Sequence, residues 1–156
     1  LSVKRHTKNG DVGYVGDVTA VNIMPIRELT EFGIIPVIYP LGIDQKGETY
    51  NVNADEAAAK IAVAMQVQKF MVLTNVKGIM RDAQDESSLI PALHVNEVEG
   101  LIKKKIVTGG MIPKVNAGIT ALQGGVKQTH IIDGRIKHSL LLEIFTDQGI
   151  GTEIDI

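Results

Sequence analysis

The sequence predicts an α/β fold with a layered sheet that is mostly parallel in the middle and carries hairpin additions. Short, continuous apolar runs at 34–39 and 69–74 are typical of strands covered on both faces. Segments with helical composition separate such runs, above all the alanine-rich stretch 56–65. A regular alternation of strands and helices is typical of a sheet whose faces are covered by helices.

Length and composition narrow the class of protein. With 156 residues the chain has the size of one domain, and we expect residues 1–156 to form a single one. The sequence contains no cysteine, which excludes disulfides, thiolate zinc sites and cysteine nucleophiles and agrees with a cytoplasmic location. A net charge of −2 gives no electrostatic reason to expect nucleic acid or an anionic membrane as a partner. Small molecules and other proteins remain as possible partners.

The first third of the chain predicts two hairpins, a helix and a strand. β-branched residues and spaced glycines over 11–21 favour a hairpin. Pro25 can open a helix that Gly33 ends, and the apolar run 34–39 then predicts a buried strand. The turn-rich segment 42–49 predicts a second hairpin.

The central helix begins at a polar cluster. Asn53 can cap it, Glu56 follows at the spacing of a capping box, and Asp55 lies in the first turn, where the helix dipole favours an acid. The favourable interaction with the helix dipole is enough to explain an acid at Asp55 without any further function. Asn51 precedes the cap, and a turn-forming role and a ligand contact both remain open for it.

The second half continues the alternation. Asn96 can cap a helix that ends near three consecutive lysines, where cations suit the dipole. The other predicted elements are a strand at 69–74, a turn at 75–78, a polar loop at 81–88, a helix from 108–114 to about Gln123, a strand at 128–132, a helix at 138–145 and a turn with an edge strand at 149–154.

Lys114 is the most informative single residue. In the first turn of a helix a cation opposes the helix dipole, at a cost of a few tenths of a kcal/mol. Backbone N–H groups over 109–112 form an expected anion site, and the lysine adds charge-assisted contacts to a phosphate bound there. A lysine that extends into water without a role is the structural alternative.

No common nucleotide fingerprint is present. The Walker pattern is missing, and Gly149-x-Gly151 is not completed into a dinucleotide motif. Ligands of open α/β sheets lie beyond the carboxyl ends of strands, so residues 74–78 and 51–55 are candidates for a ligand site. The four histidines show no spacing typical of metal ligands, so no metal site is predicted from them.

Several long motifs occur in an order that resembles the carboxyl-terminal half of N-acetylglutamate kinases, which have the amino acid kinase fold. This resemblance covers essentially the whole chain and implies a three-layer α/β/α sandwich with a mainly parallel central sheet. The motifs are GDVGYVGDV from Gly10, GIIPVI from Gly33, YNVNAD from Tyr50, LTNVKG from Leu73, GGMIPKV from Gly109 and the stretch from His138 to Thr152.

The resemblance implies transfer of the γ-phosphoryl group of ATP to the side-chain carboxylate of N-acetyl-L-glutamate, in arginine biosynthesis. Lys114 would stabilise charge on the transferred group, Asp55 would hold the catalytic lysines in place, and Asn51 would bind acetylglutamate. Mg²⁺ would be bound through the ATP phosphates. The residues implied around the nucleotide are Thr74, Asn75, Gly78, Gly110 and Met111.

The carboxyl-terminal block resembles the arginine-inhibited branch of the family. Through it, arginine becomes a possible effector, with His138, Glu143 and Gly151 as the implied contacts. Two departures stand near the nucleotide pocket, because the family usually has aspartate at Asn75 and glycine at Gln66. In its full-length form the enzyme is expected to be a homo-oligomer.

The family's amino-terminal half, with its glycine-rich turn, its second catalytic lysine and most of the acetylglutamate pocket, has no counterpart in this sequence. The chain also begins without methionine, so we expect a fragment or processed product with little or no activity alone. Two other functions stay open: a related amino acid kinase, such as glutamate 5-kinase or aspartokinase, and a non-catalytic ligand-sensing module.

Overall fold

A computed structural model describes residues 1–7, 10, 12–147 and 149–156. The chain divides into two compact units, Leu1–Met65 and Gln66–Ile156, and each is described by itself. Within the described ranges, no helix combines the length and the apolar composition that a membrane crossing requires.

The first unit contains a four-stranded sheet in the order β2-β1-β3-β4. β1 is antiparallel to β2 and parallel to β3, and β3 and β4 form the hairpin predicted from 42–49. Helix α1 lies between β2 and β3, and helix α2 follows β4. The bounds are β1 Ser2–Arg5, β2 Gly16–Ala20, α1 Met24–Glu31, β3 Leu41–Ile43, β4 Thr49–Asn51 and α2 Ala54–Met65.

The start of α2 confirms the predicted cap. The side-chain oxygen of Asn53 accepts a hydrogen bond from the Glu56 N–H at 3.1 Å. The Glu56 carboxylate accepts one from the Val18 N–H of β2 at 3.3 Å, which ties the helix to the sheet. Ala57 of α2 belongs to a small buried core. Its members are Val3, Val18, Tyr50, Val52 and Ala57.

Two predictions for the first unit are wrong. The described part of 11–21 contains one strand, β2, whose hairpin partner is β1; Asp11 lies outside the described residues. Among the described residues, the run 34–39 pairs with no strand, and Ile35 is 87% exposed. Apolar composition indicates a strand, but a strand forms only where a neighbouring strand satisfies its backbone.

The second unit contains a four-stranded sheet in the order β5-β7-β8-β6. β5 is parallel to β7 and β6 is parallel to β8, whereas β7 and β8 are antiparallel. The α/β class is therefore confirmed, with a mixed sheet rather than a uniformly parallel one. The bounds are β5 Lys69–Thr74, β6 Ala92–His94, α3 Val95–Lys103, α4 Met111–Gln123, β7 Gln128–Asp133, α5 Ser139–Phe145 and β8 Thr152–Asp155.

Helices cover both faces of this sheet. The Thr129 hydroxyl donates to the carbonyl of Gly118 in α4 at 3.3 Å, and the His130 ring contacts Glu143 of α5 at 2.7 Å. Because adjacent residues of a strand point to opposite faces, α4 and α5 lie on opposite sides of β7. Within this unit the order of layers is therefore helix, sheet, helix, as the resemblance implied.

Two details differ from prediction. The carboxyl-terminal strand β8 is not at an edge but lies between β7 and β6. The cap of α3 is His94, whose ring accepts from the Asn96 N–H at 3.2 Å while Glu97 completes a capping box. Asn96 is the stronger cap former and is the cap that the sequence predicts, but the backbone enters the helix two residues earlier.

Candidate functional site

The second unit has a cavity of about 320 Å³ at the carboxyl end of β5. Three parts of the chain form it: the end of β5 with the turn that follows, the segment before α4, and the first turns of α4. Its lining residues are Thr74, Asn75, Val76, Gly78, Ile79, Met80, Ala83, Ile106, Thr108, Gly110, Met111 and Lys114.

Six residues singled out from the sequence line this one cavity. They come from two motifs that are more than 30 residues apart, and the fold brings them together because β5 ends where α4 begins. Their roles stay predictions. The six are Thr74, Asn75, Gly78, Gly110, Met111 and Lys114.

The turn after β5 is held by close contact with β8. Gly78 has φ of +149°, and a Cβ at this position would lie 2.7 Å from the Thr152 hydroxyl and 3.0 Å from the Thr152 nitrogen. The next residue, Ile79, donates its N–H to the same hydroxyl at 2.8 Å, and that hydroxyl donates to the carbonyl of Ile90 at 2.7 Å. The buried Thr152 therefore fixes the floor of the cavity.

The start of α4 differs from the predicted cluster of free N–H groups. The Met111 N–H donates to the Thr108 carbonyl at 3.0 Å, and the Ile112 N–H donates to the Gly109 carbonyl at 3.2 Å. Within the described ranges, the N–H groups of Gly109 and Gly110 meet no acceptor. The expected anion site is thus reduced to these two amides, because a turn before the helix uses the other two.

Lys114 lies in α4 with its side chain half-buried at the cavity. The flanking Val115 is fully buried against the sheet, which fixes the face of the helix that carries the lysine. The remaining walls are largely apolar, with Ile79, Met80 and Ile106 among them. One cation beside apolar walls suits a ligand that combines a flat apolar group with an anion.

An ion pair lies at the end of β7, next to the cavity. Asp133 is the parallel partner of Thr74, and the Gly134 N–H donates to the Thr74 carbonyl at 2.9 Å. The guanidinium of Arg135 donates to both Asp133 oxygens, and its hydrogen bonds, with that of the Arg135 N–H, lower the pKa of Asp133 to about 2. Asp133 is therefore a carboxylate at neutral pH.

Sequence reasoning did not single out the apolar wall of Met80 and Ile106. Met80 forms a bridge to Leu89 at the base of the polar loop 81–88, and Ala83 of this loop also lines the cavity. The signal that could have found Met80 is its place just after the turn at Gly78. Ile106 lies in the connection between α3 and α4, where no sequence pattern marks a ligand contact.

Asn51 and Asp55 belong to the first unit. Asn51 is the last residue of β4, is exposed, and donates its N–H to the Tyr14 carbonyl at 2.9 Å. Asp55 is the second residue of α2 and is half-buried. The predicted meeting of Asp55 with Lys114 concerns both units and stays a prediction.

The three implied effector contacts occupy different environments in the second unit. His138 is exposed and has φ of +60° directly before α5. The Glu143 carboxylate is buried, contacts the His130 ring, and accepts hydrogen bonds from the N–H groups of Ile150 at 2.6 Å and Gly151 at 3.1 Å. Glu143 thus anchors the segment before β8.

A model of the amino acid kinase family matches residues 2–133. The chain belongs to the amino acid kinase family. Among curated relatives, the acetylglutamate kinase of Heliobacterium modesticaldum is 54% identical over 144 residues, covering 92% of this chain and 49% of its own length. That of Thermoanaerobacter sp. is 50% identical and covers 99% and 52%.

Solved structures have folds similar to that of this chain. N-acetylglutamate synthase from Neisseria gonorrhoeae, complexed with coenzyme A and L-arginine, matches with a TM-score of 0.88 and 30% identity, over 99% of this chain and 36% of its own. Carbamate kinase from Giardia lamblia bound to AMP-PNP matches with a TM-score of 0.67 over 98% and 51%; its 19% identity supports the fold alone. The chain spans about half the length of the curated relatives it matches.

Proposed function

We propose that this member of the amino acid kinase family is the ATP-binding half of an acetylglutamate kinase. The complete enzyme transfers the γ-phosphoryl group of ATP to the side-chain carboxylate of N-acetyl-L-glutamate, in arginine biosynthesis. The observation that carries this proposal is the cavity at the end of β5, where residues from two separate nucleotide motifs line one space. The names of relatives about 50% identical to the chain support the choice of acceptor.

The cavity suits part of a nucleotide. Its volume of about 320 Å³ lies at the lower end of the range for small-molecule sites. Met80, Ile106 and Met111 offer apolar surface to a base, while Lys114 and the amide of Gly110 offer positive charge to phosphate oxygens. The base then lies toward the apolar wall and the phosphates toward α4.

Lys114 stabilises the negative charge that spreads over the equatorial oxygens of the transferred phosphoryl group. Such a role requires a fixed position, and the buried neighbour Val115 gives the helix that rigidity. Asp55 holds the catalytic lysines in place, and Asn51 binds the acetylglutamate through its side-chain amide. No covalent intermediate is needed, because positioning and charge supply most of the catalysis.

The phosphates of ATP would hold magnesium, which would supply positive charge to neutralise them. Within the described ranges, no group of three His, Asp or Glu side chains could hold a metal ion. Mg²⁺ commonly keeps several waters and takes substrate phosphates as ligands, so a dedicated protein cage is not required.

The proposal is tested by calorimetric titration of the chain with Mg-ATP. We expect measurable binding that Lys114→Met weakens about 10- to 100-fold, since a hydrogen bond to a charged group contributes roughly 1.5–3 kcal/mol. Lys127→Met removes the same charge from an exposed position outside the cavity and should bind as the unchanged chain does. Equal affinity for Mg-ATP in both variants, or no binding of Mg-ATP to the unchanged chain, would contradict the proposed nucleotide site.

The acceptor is tested in a full-length protein that contains this sequence. Activity on acetylglutamate, but not on glutamate or aspartate, would support the proposal over a glutamate 5-kinase or an aspartokinase. The reverse preference would contradict it. Binding of a ligand without any turnover of ATP would favour a non-catalytic sensing module.

Feedback inhibition by arginine is a second candidate function, which the synthase structure complexed with L-arginine favours. His138, Glu143 and Gly151 are the proposed contacts. Because the Glu143 carboxylate already binds the His130 ring and two backbone amides, arginine would have to share or replace those contacts. An arginine titration of the full-length enzyme that leaves activity unchanged would exclude this role.

A further inference from the structure

A short stem of paired residues carries part of the wall of the cavity. The Ile90 N–H donates to the Ile79 carbonyl at 2.8 Å, and Met80 and Leu89 form an antiparallel bridge. We call these four residues the loop stem, because they flank the loop 81–88. Ile79, Met80 and Ala83 of the loop all line the cavity, so the loop stem sets the position of three lining residues.

The side chain of Thr152, in β8, bonds to both arms of the loop stem. Its hydroxyl accepts a hydrogen bond from the Ile79 N–H at 2.8 Å and donates one to the Ile90 carbonyl at 2.7 Å. All three residues are buried, with Thr152 0%, Ile79 2% and Ile90 6% exposed. Because they are shielded from water, loss of the hydroxyl would leave the Ile79 N–H without an acceptor.

Thr152 itself is held from the middle of the sheet. β8 lies between β7 and β6, and Thr152 is the antiparallel partner of Ile131 in β7. On the other side, the Glu153 N–H donates to the Pro91 carbonyl at 2.9 Å, next to the contact with the loop stem. The preceding Gly151 lies so close to β7 that a Cβ there would clash with the Ile131 carbonyl. The hydroxyl is therefore presented to the loop stem by a strand that is fixed along both edges.

The turn at Gly78 also lies against Thr152, since a Cβ at Gly78 would be 2.7 Å from the hydroxyl. Within the described chain, Thr152 is not one of the residues that line the cavity, so it acts on the cavity through this turn and the loop stem. We propose that Thr152 is a positioning residue of the nucleotide site, whose hydroxyl holds both in the arrangement that accepts the nucleotide. This inference rests on the proposed function. Groups that lock the contact residues in place decide how tightly a site binds its ligand.

Two substitutions separate the hydroxyl of Thr152 from its volume. Thr152→Val keeps the shape of the side chain but removes the hydroxyl, and calorimetric titration should show about tenfold weaker binding of Mg-ATP. Thr152→Ser keeps the hydroxyl and should bind Mg-ATP within about twofold of the unchanged chain. Hydrogen exchange at the Ile79 amide should be faster by about tenfold or more in Thr152→Val and nearly unchanged in Thr152→Ser.

Thr129→Val is the matched control for a general loss of stability. Thr129 is also 0% exposed, and its hydroxyl donates to the Gly118 carbonyl at 3.3 Å; neither residue lines the cavity. Urea denaturation should show that both valine variants are less stable than the unchanged chain. Under conditions in which both are fully folded, Thr129→Val should bind Mg-ATP as the unchanged chain does.

A measurement on the unchanged chain does not depend on whether a variant folds. Saturating Mg-ATP should slow hydrogen exchange at the Ile79 amide, because a ligand that needs the bonded loop stem also favours it. The same exchange rate with and without Mg-ATP would overturn the inference.

The outcomes distinguish this inference from the proposed function. Equal affinity for Mg-ATP in Thr152→Val and the unchanged chain, or equal losses of affinity in Thr152→Val and Thr129→Val, would overturn the role of Thr152 and leave the nucleotide site in place. Weak binding by Thr152→Ser, at the level of Thr152→Val, would also overturn it, because the hydroxyl would then not be the deciding group. No binding of Mg-ATP to the unchanged chain would contradict the proposed function and this inference together.

Discussion

At the scale of single residues, two glycines of the second unit differ in the room that their surroundings leave for a side chain. Gly78 has positive φ and lies directly against Thr152, so no side chain fits there. Gly100 lies within α3, and apart from its own helix backbone no atom of the described chain would lie within 4 Å of a Cβ at this position. Gly78 allows the turn at the floor of the cavity. Gly100 lowers the stability of helix α3 relative to alanine, and no close contact in the described chain requires a glycine there.

Replacement of these glycines by alanine should change stability in opposite directions. Gly78→Ala is expected to destabilise the chain by about 2 kcal/mol, because the backbone is strained and the hydrogen bond from Ile79 to Thr152 is displaced. Gly100→Ala should stabilise it by about 0.5–1 kcal/mol. Urea denaturation of both variants measures the difference, and a neutral Gly78→Ala would contradict the close contact.

The ion pair of Asp133 and Arg135 predicts a pH dependence. The pKa of Asp133 is lowered from 3.8 to about 2, so the pair stabilises the fold above pH 3.8 and loses its effect as the pH falls through about 2. Arg135→Met should therefore be less stable than the unchanged chain near neutral pH, and the two should converge as the pH falls over this range. Because the Arg135 side chain is 68% exposed, added salt should reduce the difference.

Thermal denaturation across this pH range checks the prediction. Lys137→Met is the control, since it removes a neighbouring exposed cation that has no recorded contact with Asp133. Its stability difference should vary less with pH. A difference for Arg135→Met that stays constant from neutral pH to pH 2 would show that the pair does not control the Asp133 carboxyl.

At the scale of elements, helix α5 and the segment before β8 share one buried carboxylate. Glu143 contacts the His130 ring of β7 and accepts from the amides of Ile150 and Gly151. Much of the rest of α5 is exposed, including Leu141 at 54%. Attachment of this helix therefore depends on a polar contact more than on an apolar face.

Removal of that carboxylate should loosen both elements. Glu143→Ala is expected to destabilise the chain by about 3 kcal/mol, because it leaves the buried His130 ring and two amides without their acceptor. Leu141→Ala, on the exposed side of the same helix, should cost less than about 0.5 kcal/mol. Urea midpoints compare the two, and equal midpoints would show that α5 is held in another way.

At the scale of the whole molecule, the chain matches about half of each acetylglutamate kinase. A phosphoryl transfer site needs charge and positioning from several directions. We propose that the second unit provides the nucleotide contacts and that the first unit provides acceptor contacts such as Asn51. Most of the acetylglutamate pocket would come from the half of the relatives that this chain does not match.

The isolated chain should therefore bind ATP without efficient catalysis. At an ATP concentration ten times the dissociation constant, binding stabilises the folded chain by about 1.4 kcal/mol, which raises its melting temperature. In the same sample, formation of ADP with acetylglutamate should stay close to the background rate. Robust phosphorylation by the isolated chain would contradict this prediction. AMP serves as a comparison, because it lacks the phosphates that are proposed to contact Lys114.

The sequence by itself determined the class of the fold, the alternation of its elements and the two motifs whose residues line the cavity. Caps, turns and helix composition are local signals, so α2, α4 and the turn at Gly78 could be predicted from neighbouring residues. Only the tertiary structure decided that 34–39 pairs with no strand of the described chain, that β8 lies inside its sheet, and that Met80 and Ile106 form a wall of the cavity. These features depend on which distant segments satisfy a backbone or bury a side chain, and no local pattern encodes that choice.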